Sequence, residues 1–235
     1  DGTVKWTFTA PGGATFKHTT PTVSHDDQTV YIGSVVSSPN YMYAINANDG
    51  SEKWKYATHP RTNLQGGAIK SAGILSEDGS RIYFGTYGND VVALNTATGV
   101  VVWTYNIAGS GFFFEGGTLS PDGNTLYIGN YDKKLYAFDV KCHQKVRDCS
   151  PLWFVETGDS ICSRPTVSRD GTTVYVGSED HLLYAIRTHV DIHPTLNNQT
   201  FDVYFNEDEF GTKAAYTFVS KFSSTGTHQL TKFVG

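Results

Sequence analysis

The chain has 235 residues, a formal net charge of −5, 14% aromatic residues, 24 glycines and one methionine. Its acids are scattered and it carries no basic stripe, which argues against nucleic acid and anionic membrane surfaces as partners. No apolar run reaches membrane-spanning length and no stretch keeps a helical period, so a composition rich in Thr, Val, Tyr, Phe and Gly points to an all-β protein with no membrane span.

In chain order the first predicted element is a strand over Asp1–Thr9, entered through Gly2 and carrying Trp6. A repeat follows: Thr22-Val23-Ser24, an acidic turn, Tyr31-Ile32-Gly33, then Tyr43-Ala44-Ile45, a turn at Asp49-Gly50, and Trp54. The second copy runs Ile74-Leu75-Ser76, Asp78-Gly79, Tyr83-Phe84-Gly85, Val92-Ala93-Leu94, Gly99 and Trp103. The third runs Thr118-Leu119-Ser120, Asp122-Gly123, Tyr127-Ile128-Gly129 and Tyr136-Ala137-Phe138, but a longer loop precedes Trp153. The fourth runs Thr166-Val167-Ser168, Asp170-Gly171, Tyr175-Val176-Gly177 and Tyr184-Ala185-Ile186, after which no Gly and Trp stand at the expected spacing.

A period of about 44–52 residues built from strand and turn signals is that of a four-stranded propeller blade. The Asp-Gly pairs sit where a hairpin needs positive φ. Trp fills the wedge between blades against an Ala small enough to admit it, and truncating one such Trp to Ala costs about 3–5 kcal/mol. The half-repeat missing from the fourth copy stands at the other end, in Asp1–Trp6. The expected fold is therefore a β-propeller of four four-stranded blades over residues 1–189, with Asp1–Thr9 pairing with His181–Thr188 to close the last blade. The structural set is Trp6, Ala44, Gly50, Trp54, Ala93, Gly99, Trp103, Ala137, Trp153 and Ala185.

The spacing Ala-x-Asx-x-x-x-Gly-x-x-x-Trp resembles the tryptophan-docking motif of the pyrroloquinoline-quinone-type (quinoprotein) propeller repeats, over residues 1 to about 189. The resemblance implies a propeller; the family holds non-catalytic scaffolds as well as dehydrogenases. Its dehydrogenases are usually built from about eight blades and use adjacent cysteines and a calcium site of Glu, Asn and Asp. This chain has four blade copies and no adjacent cysteines, and the ligand set cannot be placed on it residue by residue. No cofactor and no enzymatic activity are expected.

Cys142 and Cys149 bracket the loop of the third copy and read as a disulfide staple, in preference to a metal site using His143. Closing that loop contributes about 2.5 kcal/mol by loop entropy. Cys162 reads as a small buried hydrophobe. With the sequon at Asn198, the disulfide points to a secreted, extracellular protein with an attached glycan. The best polar constellation is His18, Lys70, Glu115 and Arg164, near equivalent places in the four copies, where they line an axial channel or bind an anion or sugar. Asp90, Asp132 and Asp180 read as solvated turn acids, and His189, Asp191 and His193 as exposed loop residues.

Residues 190–235 do not repeat the blade and form a β-rich tail, with strands expected at Phe201–Phe205, Tyr216–Phe222 and Gln229–Val234. The functional expectation is a non-catalytic extracellular scaffold that joins copies of itself through terminal strands into filaments or higher oligomers, the tail being the preferred connector. The alternatives are a quinone- or sugar-binding half-propeller oxidoreductase and a monomeric partner-binding module.

Overall fold

The computed structural model describes residues 1–35, 39–58, 67–107, 116–143, 149–188, 201–204, 215–222 and 228–233. The chain divides into two compact units, Asp1–His189 and Val190–Gly235. The first unit contains four antiparallel sheets. Blade 1 is β1 (Thr22–Val23), β2 (Thr29–Gly33), β3 (Tyr41–Asn46) and β4 (Glu52–Ala57). Blade 2 is β5 (Ile74–Leu75), β6 (Arg81–Gly85), β7 (Asp90–Asn95) and β8 (Val101–Asn106). Blade 3 is β9 (Thr118–Leu119), β10 (Thr125–Gly129), β11 (Lys134–Asp139) and β12 (Trp153–Glu156). Among the described residues blade 4 consists of β13 (Thr166–Val167), β14 (Thr173–Gly177) and β15 (Leu183–Arg187). The second unit is a three-stranded meander of β16 (Phe201–Tyr204), β17 (Ala215–Phe222) and β18 (His228–Phe233).

Register explains the repeat. Tyr31 pairs with Ala44 and Ala44 with Trp54; Tyr83, Ala93 and Trp103 align likewise, as do Tyr127, Ala137 and Trp153. With only a methyl group between them, the flanking rings meet above the Ala, with centroids 5.8, 6.0 and 5.7 Å apart. Trp54 also reaches the turn of the following blade. The Trp54 indole N–H donates to the Thr96 carbonyl at 2.8 Å, and its ring lies so close to Gly99 that a Cβ there would stand 2.7 Å from Cε3.

The face carrying that Tyr, Ala and Trp is the front of a blade. The front of blade 1 (Tyr31, Met42, Ala44) packs on the back of blade 2 (Ile82, Phe84, Val92, Leu94). Blade 2 packs on blade 3 in the same way, through Tyr83, Val91 and Ala93 against Leu126, Ile128, Tyr136 and Phe138, and blade 3 on blade 4 through Tyr127, Leu135 and Ala137 against Ile161, Val174 and Val176. The apolar core is thus distributed over three interlocking seams and a fourth cluster, where Trp6, Phe8, Ala10 and Phe16 pack on Tyr43 and Ile45 at the back of blade 1.

One expectation requires correction. The fourth blade has three strands, and residues 1–9 form no strand. They lie with blade 1, because the Trp6 indole N–H donates to the Ala47 carbonyl at 2.9 Å and its ring covers Gly50. Trp6 therefore docks on the next blade as Trp54 does, without belonging to a sheet. The turn of blade 3 is built differently from those of blades 1 and 2. The Cys142–Cys149 disulfide replaces the glycine turn as expected. The equivalent carbonyl, that of Val140, is taken by the Tyr83 hydroxyl at 3.2 Å and by Arg81, and the buried Trp103 N–H has no partner among the described residues.

Candidate functional site

The first candidate lies where the leading residues of each first strand meet the residues just past Tyr-x-Gly. Ser71 bridges the Gly85 carbonyl and N–H at 3.0 and 3.1 Å, and Ser163 does the same for Gly177 at 2.9 and 3.0 Å. These clamps set the neighbouring side chains. Lys70 Nζ stands 2.7 Å from the Tyr87 hydroxyl. The Cys162 thiol donates to Glu179 Oε1 at 3.1 Å and is hydrogen-bonded to Tyr131. Burial, aided by Lys17, lowers the Lys70 pKa, and burial raises Tyr87 to about 12. The hydrogen bond to Cys162 raises Tyr131, with burial second.

Cys162 is half-buried and polar-bonded, which corrects its reading as a buried hydrophobe. Burial, with the Glu179 carboxylate beside it, pushes the thiol to about 11, so it stays protonated at neutral pH and is a poor nucleophile. Of the predicted axial residues that the structure describes, Lys70 takes part. His18 and Arg164 are exposed, and Glu115 lies outside the described residues, as do Asn198, His189, Asp191 and His193. Counted from the Ser of each repeat, His18 and Lys70 share a position with Cys162, whereas Glu115 and Arg164 fall one and two places later. The four do not form one ring of equivalents. Among the described residues the cluster supplies hydrogen bonds, one cation and a thiol held protonated beside the Glu179 carboxylate.

The turn acids also differ from expectation. Asp90 is buried and accepts from the Asn106 amide at 2.6 Å. Asp132 accepts from the Tyr136 hydroxyl, and Asp180 from the Tyr184 hydroxyl at 2.6 Å and the Gly158 N–H at 2.7 Å. Sequence held a signal for the last two, since Asp-x-x-x-Tyr occurs at the same place in both repeats. The Ser and acidic turn of every blade form a clamp: Ser76 donates to Asp78 at 2.6 Å and accepts the Arg81 N–H at 3.0 Å, and the pattern recurs at Ser24, Ser120 and Ser168.

The second candidate is the front of blade 4. Tyr175, Leu183 and Ala185 occupy the positions that blades 1–3 bury, yet Tyr175 is 38% exposed and Leu183 75%, against 3% or less for Tyr31, Tyr83 and Tyr127 and 1% or less for Met42, Val91 and Leu135. Leu182 beside them is 58% exposed. This is an apolar strip on a blade with three strands among the described residues.

A family model described as outer membrane protein assembly factor BamB, of the pyrroloquinoline-quinone repeat type, matches residues 1–189. The chain belongs to this family. A solved relative, the crystal structure of BamB from Moraxella catarrhalis, superposes with a TM-score of 0.57 at 19% identity, over 79% of this chain and 50% of that one. That similarity shows the fold, and this chain spans about half the length of its structural relative. No curated protein matches the sequence.

Among the described residues no donor set matches the quinone and calcium that some propellers of this repeat hold. Two of the three cysteines are tied to each other seven residues apart. Among the described residues no three His, Cys, Asp or Glu side chains gather as a metal site would require.

Proposed function

We propose that this chain is a non-catalytic propeller scaffold that assembles with copies of itself through its end blade and terminal strands. The bare front of blade 4 carries the reading: it presents the residue types that seal the seams between blades 1, 2, 3 and 4. A surface of that kind is worth covering, because leaving Leu and Tyr side chains in water forfeits about 1.5–3 kcal/mol apiece relative to burial. The family's description as an assembly factor agrees with a scaffold role. An extracellular setting is supported by the Cys142–Cys149 disulfide. Sedimentation equilibrium of the purified 235-residue chain tests the reading. An oligomer at micromolar concentration is the expected result, and a monomer at every concentration overturns it. Titration with pyrroloquinoline quinone and calcium, followed by a dye-linked assay, is expected to give neither stoichiometric binding nor turnover; turnover would make the chain an oxidoreductase.

A further inference from the structure

The seam between blades 2 and 3 is closed differently from its neighbour. Between blades 1 and 2 a glycine turn does the closing: the Trp54 N–H reaches the Thr96 carbonyl and its ring covers Gly99. Between blades 2 and 3 residues 140–152 stand in place of such a turn. Cys142 and Cys149, bonded to each other and 3% and 4% exposed, pack in one cluster with Trp103, Phe138 and Val140. Trp103 is fully buried and stacked 5.8 Å from Phe138, yet its indole N–H has no partner among the described residues. Blade 2 is matched to this loop. Thr29, Arg81, Thr125 and Thr173 open the second strands of the four blades, so the arginine stands in the blade that faces the disulfide. Arg81 donates to the Val140 and Cys142 carbonyls, to the latter at 3.2 Å. Tyr31 and Tyr127 approach the side chains of Thr96 and Thr188 in the next blade. At the equivalent place in blade 3 stands Val140, which has no hydroxyl, and Tyr83 donates to its carbonyl at 3.2 Å. The first leg of the loop is thus anchored on blade 2, and the disulfide carries that anchor to the second leg.

We propose that the Cys142–Cys149 disulfide is a redox-sensitive latch on this one seam: a dithiol reductant cuts it and loosens blade 3 from blade 2 around Trp103, while the seam between blades 1 and 2 stays shut. The latch is independent of whether copies of the chain assemble. A thiolate of the reductant attacks one sulfur and forms a mixed disulfide, and its second thiol then displaces the protein sulfur. Two electrons and two protons pass to Cys142 and Cys149, which become thiols, and the reductant becomes its own disulfide. Burial of both sulfurs keeps the reductant out until the loop opens, so the rate of reduction reads the latch. Across a separation of 7 residues the cross-link favours the closed loop about 70-fold by chain entropy. Arg81 and Tyr83 act in the same direction. The Trp103 N–H acts against them, because it meets water only when the seam opens.

The test compares amide hydrogen exchange of the oxidised 235-residue chain with that of the same chain held in dithiothreitol without denaturant. The expected result is that β8 and β11 exchange at least ~10-fold faster in the reduced chain, while β3 and β4 stay within about twofold of the oxidised one. A second measurement follows reduction of the native chain by mass, which rises by two hydrogens. Arg81→Met and Tyr83→Phe remove the anchors and are each expected to speed reduction about tenfold, the effect of a lost hydrogen bond. Arg169→Met, at an exposed position of blade 4, is expected to leave the rate within about twofold. Loss of protection shared equally by every blade makes the disulfide a general stabiliser and overturns the latch. No loss in any blade confines the disulfide to its own loop and overturns it too. Rates of reduction that ignore Arg81 and Tyr83 overturn the anchoring on blade 2.

Discussion

Tyr43 and Tyr136 occupy the same place in blades 1 and 3, one residue before the Ala of the third strand, and their hydroxyls are treated differently. Tyr136 donates to Asp132, whereas the corresponding position in blade 1 is Pro39, and the buried Tyr43 hydroxyl has no partner among the described residues. An unmet buried hydroxyl costs about 1–3 kcal/mol, and a paired one contributes about 1 kcal/mol net. Tyr43→Phe is therefore expected to leave stability unchanged or raise it by about 1 kcal/mol. Tyr136→Phe is expected to lower it by about 1–3 kcal/mol, since it strips a partner from Asp132. Urea unfolding of both variants checks this, and equal losses would show that Tyr43 finds a partner. The turn acids give a pH signature at the same scale. Hydrogen bonds from Ser76 and Ser80 draw Asp78 from 3.8 down to about 2, and those from Ser120 and Asn124 do the same for Asp122. Both folded-state values are depressed, so the stabilisation is complete above the unfolded value of about 3.9 and lost as pH falls towards 2. At these exposed positions it is about 1 kcal/mol or less each. Asp122→Asn should be less stable than the parent at pH 6, with the difference closing between pH 4 and 2; a constant gap would place the effect elsewhere.

Glycines show which parts of the blade were legible from sequence and which were not. Gly79 and Gly99 both have positive φ, +69° and +70°, and both were marked by turn chemistry. Only their surroundings differ: a Cβ at Gly79 first meets His25 at 3.4 Å, whereas one at Gly99 meets the Trp54 ring at 2.7 Å. Gly79→Ala is expected to cost about 1–2 kcal/mol from backbone strain alone. Gly99→Ala adds displacement of the indole and should cost about 2–4 kcal/mol in total. Thermal unfolding of the pair measures the difference, and equal costs would mean that Trp54 does not dock there. The Gly of Tyr-x-Gly tells the opposite story. Gly33 and Gly129 need no positive φ; they are required because Ile69 and Ile161 of neighbouring blades lie where a Cβ would be, at 2.4 and 2.1 Å. Local pattern marked these positions without giving the reason, because the reason is a contact between blades. The same limit misplaced residues 1–9. Their fourth-strand character was written in Asp1-Gly2 and Trp6, but which sheet they join depends on the arrangement of the blades. Lys70, Cys162, Tyr87 and Tyr131 were missed as a group because they come from separate repeats. The Ser71 and Ser163 clamps were the available sign, a Ser at one repeat position whose partner is the Gly of the next strand.

At the scale of the molecule, stability and assembly are coupled. Within the first unit each seam is closed by a front of Tyr, an aliphatic residue and Ala, together with a Trp, and among the described residues the fourth front is exposed. If that front is covered by a second copy, part of the core of blade 4 forms only on association, and the folded state gains free energy by mass action. The midpoint of thermal unfolding for the intact chain is therefore expected to rise by several degrees as concentration increases from about 1 to 100 μM, since ~100-fold in concentration shifts the balance by about 2.7 kcal/mol at most. Leu183→Arg should flatten that dependence while leaving the low-concentration midpoint within about 2 °C of the parent, because Leu183 is already in water when the chain is alone. A truncation after residue 189 separates the two units: if the front of blade 4 forms the contact, the concentration dependence survives, and if residues 190–235 form it, the dependence disappears with them. A midpoint independent of concentration in the intact chain would place the bare face of blade 4 in solvent, and the scaffold would then stand as a monomer.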